Sequence, residues 1–120
     1  VLIDTDFLIE VDRGRANLPE EDCFISIVTL YEFIRGKRDP LLAKKLVEEI
    51  FVVIPLTNEI ISRASLIWRK LKLLGTPLDD RNLLIGATAI EEDLPLLTLN
   101  LKHYERLREF GLRFWAEVDP

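Results

Sequence analysis

The chain has 120 residues and a formal net charge of −5, with 48% hydrophobic and 31% charged residues. That length fits one domain, residues 1–120, and the hydrophobic fraction suffices for a core without disulfides or a structural metal. The acidity argues against a protein that coats RNA by electrostatics alone, and no apolar run approaches the ~20 residues of a membrane span, so a cytoplasmic protein without a signal peptide is expected.

Val1-Leu2-Ile3 reads as a short buried strand that stops at Asp4. Phe7, Leu8 and Val11 recur at helical spacing, which predicts a helix from Thr5 to about Arg13, ended by Gly14. Cys23-Phe24-Ile25 is the second strand, and the lone Cys23 within it is a buried, reduced thiol. Ser26 is placed to cap the next helix, with Ile27, Leu30, Tyr31 and Ile34 as its buried stripe. Asp39-Pro40 is a cap followed by a proline at the first helical position, and the helix it starts carries Leu41, Leu42, Val47 and Ile50. Residues 51–54 form the third strand. Thr57 or Asn58 caps a long helix with the stripe Ile60, Ile61, Ala64, Ile67, Trp68 and Leu71. Asp79 or Asp80 caps a helix to about Glu92 that is apolar almost all round, hence largely buried. Residues 95–98 form the fourth strand, 102–110 a short amphipathic helix, and 112–118 a last edge strand. Strands alternating with helices predict an α/β fold in three α/β/α layers, with a central, mostly parallel sheet of about four or five strands.

In such a sheet, ligands bind just outside the carboxyl ends of the strands. Asp4 ends the first strand, Glu32 lies on the helix after the second, and Asn100 follows the fourth. Asp4 carries the most information. A carboxylate directly after three buried apolar residues is costly to desolvate unless something pairs with it. No Lys or Arg precedes Arg13, and the other polar residues expected at this rim are acids and amides. A hard divalent cation, Mg²⁺ or Mn²⁺, resolves the conflict, and it would activate a water and polarise a phosphodiester. Taken singly, each residue has a structural reading too. Asp4, Asp79 and Asp80 serve as helix caps, Glu32 as a solvated helix acid beside Arg35, and Asn100 as a turn residue. Asp6 fits the first helical turn, favoured there by the helix dipole. Arg35 and Lys37 belong to a basic cluster that is either a solvated helix face or a track for an RNA backbone, and His103 reads as a surface residue.

Four segments in order resemble the motifs of PIN-domain ribonucleases, and most of all the VapC toxins. They are Val-Leu-Ile-Asp-Thr-Asp-Phe-Leu-Ile at 1–9, Ile-Ser-Ile-Val-Thr-Leu-Tyr-Glu-Phe-Ile-Arg-Gly at 25–36, Leu-Leu-Ile-Gly-Ala-Thr-Ala-Ile at 83–90, and Leu-Pro-Leu-Leu-Thr-Leu-Asn at 94–100. The resemblance implies an endoribonuclease whose carboxylates hold Mg²⁺ or Mn²⁺ against RNA, a homodimer, and a cognate VapB-like antitoxin. Carried over by position, Asp4 and Glu32 match the first two acids, Thr5 and Thr98 the supporting hydroxyls, and Asn100 a position that carries Asp or Asn. The third acid falls on Asn82, which keeps the shape and one oxygen but loses the charge. Three accounts stand: an inactivating substitution, a natural asparagine in a weakened or silent nuclease, or replacement of the missing charge by Asp79 with help from Asp80. A PIN module that only binds RNA or a protein, and a free-standing RNA-processing nuclease, are the alternatives. A haloacid-dehalogenase-like phosphatase would need its aspartate pair after a strand, whereas Asp79-Asp80 opens an apolar helix.

Overall fold

The computed structural model describes residues 1–118. In chain order the elements are β1 (Leu2–Ile3), α1 (Thr5–Asp12), β2 (Phe24–Ser26), α2 (Ile27–Arg35), α3 (Pro40–Ile50), β3 (Val52–Ile54), α4 (Asn58–Leu73), α5 (Asp80–Glu91), β4 (Leu96–Leu97), α6 (Leu101–Tyr104), a 3₁₀ turn over Glu105–Phe110, and α7 (Trp115–Val118). Each of the five long helices starts where a short polar side chain takes up a free backbone N–H. Asp4 accepts from Phe7, Ser26 from Val28, Asp39 from Leu42, Thr57 from Ile60, and Asp79 from Asn82. Every one of these caps is among those expected from the sequence.

The strands form one sheet in the order β3-β2-β1-β4, and all pairs run parallel. Side chains alternate across it, as the period of two requires. Val1, Ile3, Cys23 and Ile25 pack with Phe7, Leu8, Leu30, Phe33, Val47 and Phe51 on the α1–α2–α3 side. Leu2, Ile54 and Leu96 face the other way, onto Ile60, Ile67, Leu71, Leu83, Ile85 and the carboxyl-terminal segment. The result is the expected three-layer α/β/α arrangement. Gly86 lets that last segment close on α5, because a Cβ there would stand 2.3 Å from a methyl of Leu107. No helix among the described residues is long and apolar enough to cross a membrane.

Four expectations change. On α2 the buried residues are Thr29, Leu30 and Phe33, while Tyr31 is 61% exposed and Ile27 borders solvent. The inward face is rotated toward Phe33, and Tyr31 instead packs its ring under Arg35 on the outside. On α4, Ile61 and Trp68 are exposed, so the stripe narrows to Ile60, Ala64, Ile67 and Leu71. The helix expected over 102–110 is α6 continued by the 3₁₀ turn, stopped by Gly111 at φ 102°. The edge strand expected over 112–118 reduces to one bridge, Phe114 with Leu96, before the chain turns into α7.

Candidate active site

Chain order reverses between β1 and β4: the chain first builds outward from β1 to β2 and β3, then returns to lay β4 on the other flank of β1. A crevice opens at such a switch point, beyond the carboxyl ends of the strands. Asp4 directly follows β1 and Thr98 directly follows β4, and the Thr98 hydroxyl donates to Asp4 Oδ2 at 2.5 Å. The other oxygen of Asp4 accepts the Phe7 N–H at 3.0 Å. Asp4 is therefore both cap and rim carboxylate, and the two readings of it are compatible. It is 3% exposed. Burial pushes its pKa up to about 6, against the lowering effect of the Thr98 and Phe7 hydrogen bonds, and the neighbouring charges of Asp6 and Glu32 add to the rise.

Glu32 reaches the same crevice from α2. The Thr5 hydroxyl, one residue beyond Asp4, donates to Glu32 Oε1 at 2.7 Å and lies 3.1 Å from the Thr29 hydroxyl. The Glu32 side chain is 5% exposed, and its Oε2 lies 2.5 Å from Arg81 Nη1. This is an ion contact without hydrogen-bond geometry, since Oε2 has no hydrogen-bond partner. The expectation that the rim holds only acids and amides is thus corrected: an arginine from the first turn of α5 enters it.

The third wall is the start of α5. The Asn82 amide donates to Asp79 Oδ1 at 2.8 Å, and its oxygen accepts the Tyr104 hydroxyl at 2.8 Å. Asp79 Oδ1 also meets His103 Nε2 at 3.0 Å, and Asp79 Oδ2 accepts the Asn82 backbone N–H. Partial burial works to raise the Asp79 pKa, but the hydrogen bonds from His103 and Asn82 outweigh it and bring it down to about 2. Both Asp79 oxygens are thus engaged in holding the start of α5. Asp80 is exposed in the first turn, and Asp6 is exposed in the first turn of α1. Asn100 precedes α6 with its side chain making no capping bond, while its N–H donates to Thr98 Oγ1 at 2.9 Å. Tyr104 is 1% exposed, and burial together with Asp4, Asp6, Asp79 and Glu32 pushes its phenol pKa far up, so it stays a donor. Removing that donor by Tyr104→Phe is expected to lower stability by about 1 kcal/mol, read from the urea midpoint. An unchanged midpoint would mean that the bond to Asn82 contributes nothing.

Arg35 and Lys37 lie at the carboxyl end of α2. Arg35 stacks on Tyr31 with 5.0 Å to the ring centroid, and Lys37 Nζ is 2.5 Å from Asp12 and over the Phe33 ring. The charge of Lys37 is therefore already matched within the chain.

The oxygens facing the crevice come from two carboxylates, an amide and two threonine hydroxyls, a donor set that suits a hard divalent cation. Glu32 Oε2, buried and without a hydrogen bond, is the atom most in need of one. Among the described residues no group of three His, Cys, Asp or Glu side chains is arranged to hold a metal. Sequence reasoning missed Arg81, Tyr104 and Thr29. Arg81 could have been found from its place between Asp79 and Asn82, since a side chain in the first helical turn leans back toward the helix start.

The PIN domain family matches residues 1–109. Ribonuclease VapC1 of Methanocaldococcus jannaschii is 40% identical over 119 residues, covering 96% of this chain and 86% of that protein. A VapC ribonuclease of Pyrococcus furiosus is 34% identical over 92 residues, covering 73% of this chain and 62% of its own length. Among solved structures, DNA-bound VapBC from Salmonella typhimurium superposes with a TM-score of 0.75 at 27% identity, over 94% of each chain.

Proposed function

The chain belongs to the PIN-domain family, and from this premise we propose that it is a divalent-cation-dependent endoribonuclease, the toxin of a toxin–antitoxin pair. The observation that carries the reading is the buried Asp4 carboxylate, held in place by Thr98 and Phe7, in the same crevice as the buried Glu32. Asp4, Glu32 and the oxygen of Asn82 are the residues that would hold the ion, with Asn100 at the edge. Mg²⁺ or Mn²⁺, when bound, supplies an activated water and charge stabilisation for the phosphodiester. The chain's own part is orientation. Thr98 and the start of α1 fix Asp4, while Thr5 and Thr29 fix Glu32. Tyr104 and Asp79 fix the Asn82 amide, whereas Asp80 is exposed and lines the groove between α4 and α5. Arg35 is the better candidate for an RNA-backbone contact, since Lys37 is already paired with Asp12.

Partner surfaces support the assembly half of the proposal. Leu41, Leu42, Leu46 and Ile50 of α3 are exposed beside a cleft lined by Leu8, Val11 and Phe33, an apolar seat for a VapB-like antitoxin. Leu66, Trp68 and Leu73 of α4 are exposed as well, and we assign them to a homodimer contact. A toxin that acts on RNA beside its antitoxin would work in the cytoplasm.

A second reading has its own support: with Asn82 in the third acid's place, the fold would bind RNA or a protein without cutting. One experiment separates the two. Purified protein with Mn²⁺ or Mg²⁺ is expected to cut single-stranded RNA, to stop in EDTA, and to melt at higher temperature with the ion present. Ion-stabilised protein that leaves RNA intact would favour the binding-only module.

A further inference from the structure

Glu32 brings a second confined carboxylate to the crevice, beside the buried Asp4. The Glu32 side chain is 5% exposed, Oε1 is held by Thr5 at 2.7 Å, and Oε2 has no hydrogen bond. What faces Oε2 is Arg81 Nη1 at 2.5 Å, on a side chain that is 59% exposed, with Nε 3.7 Å from Asp79 Oδ2. A buried, fixed carboxylate is therefore neutralised by a long cation that can move into solvent without disturbing the core. Arg81 rides on the first turn of α5, one residue from Asn82.

A divalent ion ligated by Glu32 Oε2 and a guanidinium in contact with that oxygen oppose each other, because two cations a few ångströms apart in a poorly solvated crevice repel strongly. We propose that Arg81 is a built-in counter-cation of the crevice: it neutralises Glu32 while no divalent ion is bound, gives way when one binds, and then engages the substrate phosphate. The inference rests on reading the crevice as a divalent-cation site. The displaced guanidinium stays at the mouth, tethered beside Asp79, where its planar fork suits two phosphate oxygens. Two functions follow from one side chain. Without the ion, the guanidinium offsets the mutual repulsion of the acids and holds Glu32 in place. With the ion, the same charge is delivered to the RNA backbone.

The test is a Mn²⁺ titration by calorimetry and thermal melting on the wild type, Arg81→Met and Arg81→Lys. Arg81→Met is expected to melt below the wild type in EDTA, yet to bind Mn²⁺ about fivefold more tightly, because the ion no longer displaces a partner. Arg81→Lys should fall between. With Mn²⁺ present, Arg81→Met should bind a single-stranded 2′-deoxy oligonucleotide, checked on a gel to stay intact through the titration, about tenfold more weakly. Equal Mn²⁺ affinities in all three proteins would overturn the competition, and an unchanged oligonucleotide affinity would overturn the phosphate role. A wild type that binds no Mn²⁺ would remove the cation site itself, an outcome visible before any variant is compared.

Discussion

Asp4→Asn is expected to reduce RNA cleavage by about a hundredfold or more and, at the same time, to stabilise the metal-free fold at neutral pH by roughly 1–2 kcal/mol. The two effects have one cause. The Asp4 carboxyl, 3% exposed, titrates at about 6 in the fold against an ordinary value of 3.8. A folded-state pKa above the unfolded one means that the protonated form favours folding. Its contribution is fully present below about pH 3.8 and is lost as pH rises through about 6. Above about pH 7 the native state carries the whole penalty of a buried charge, on the order of 3 kcal/mol. Asparagine removes that charge and can still accept the Phe7 N–H. Part of the gain is lost because the Thr98 hydroxyl, which donates to Asp4 Oδ2 in the wild type, no longer finds an acceptor there. Urea melts in EDTA at pH 7.5 and pH 4 check the sign: the variant should lead at pH 7.5 and lose its lead at pH 4. With saturating Mn²⁺ the order at pH 7.5 should reverse, since only the wild type offers the ion a second carboxylate. A variant less stable than the wild type at pH 7.5 in EDTA, or one that still cuts RNA within a few fold of it, would contradict the assignment.

Residues tied to the backbone pattern were readable from the sequence. Asp4 and Thr98 stand where apolar strands stop, and Ser26, Asp39, Thr57 and Asp79 are short acceptors just before helical stripes, so strand ends and caps mark them. Glu32 required its place in a motif, because a glutamate on an amphipathic helix has no local feature that separates a buried acid from a solvated one. The direction of long side chains was not readable. The place of Arg81 between Asp79 and Asn82 points it toward the start of α5, but not to Glu32, which arrives from another helix. Tyr104 falls in the segment expected as a short amphipathic helix, where nothing marks it as a site residue; it is buried, because residues 101–114 fold back over α5 where Gly86 leaves room. The face of α2 was misjudged because apolar character outweighed size and partner: Thr29 turns inward beside Thr5, while Tyr31 finds a better contact under Arg35.

Asn82→Asp should move stability and function in opposite directions as well, but with the signs exchanged. The wild-type amide is matched on both ends, donating to Asp79 Oδ1 at 2.8 Å and accepting from the Tyr104 hydroxyl at 2.8 Å. Aspartate keeps the second bond and turns the first into a contact between two carboxylates. Asp79, whose charge is stabilised by His103 and Asn82 so that it titrates at about 2, would then lose one donor and gain a like charge. In EDTA the variant is therefore expected to lose on the order of 1 kcal/mol, a modest loss because Asp79 is open to solvent and Arg81 stands beside both acids. With Mn²⁺ the balance reverses. A third carboxylate joins Asp4 and Glu32, and ion affinity should rise about tenfold or more, with RNA cleavage rising alongside it. Calorimetry, melts with and without the ion, and initial cleavage rates measure the three quantities on one preparation. Unchanged Mn²⁺ affinity together with unchanged cleavage would place residue 82 outside the ion's reach. It would leave the amide with a structural task alone, that of tying Tyr104 to the start of α5.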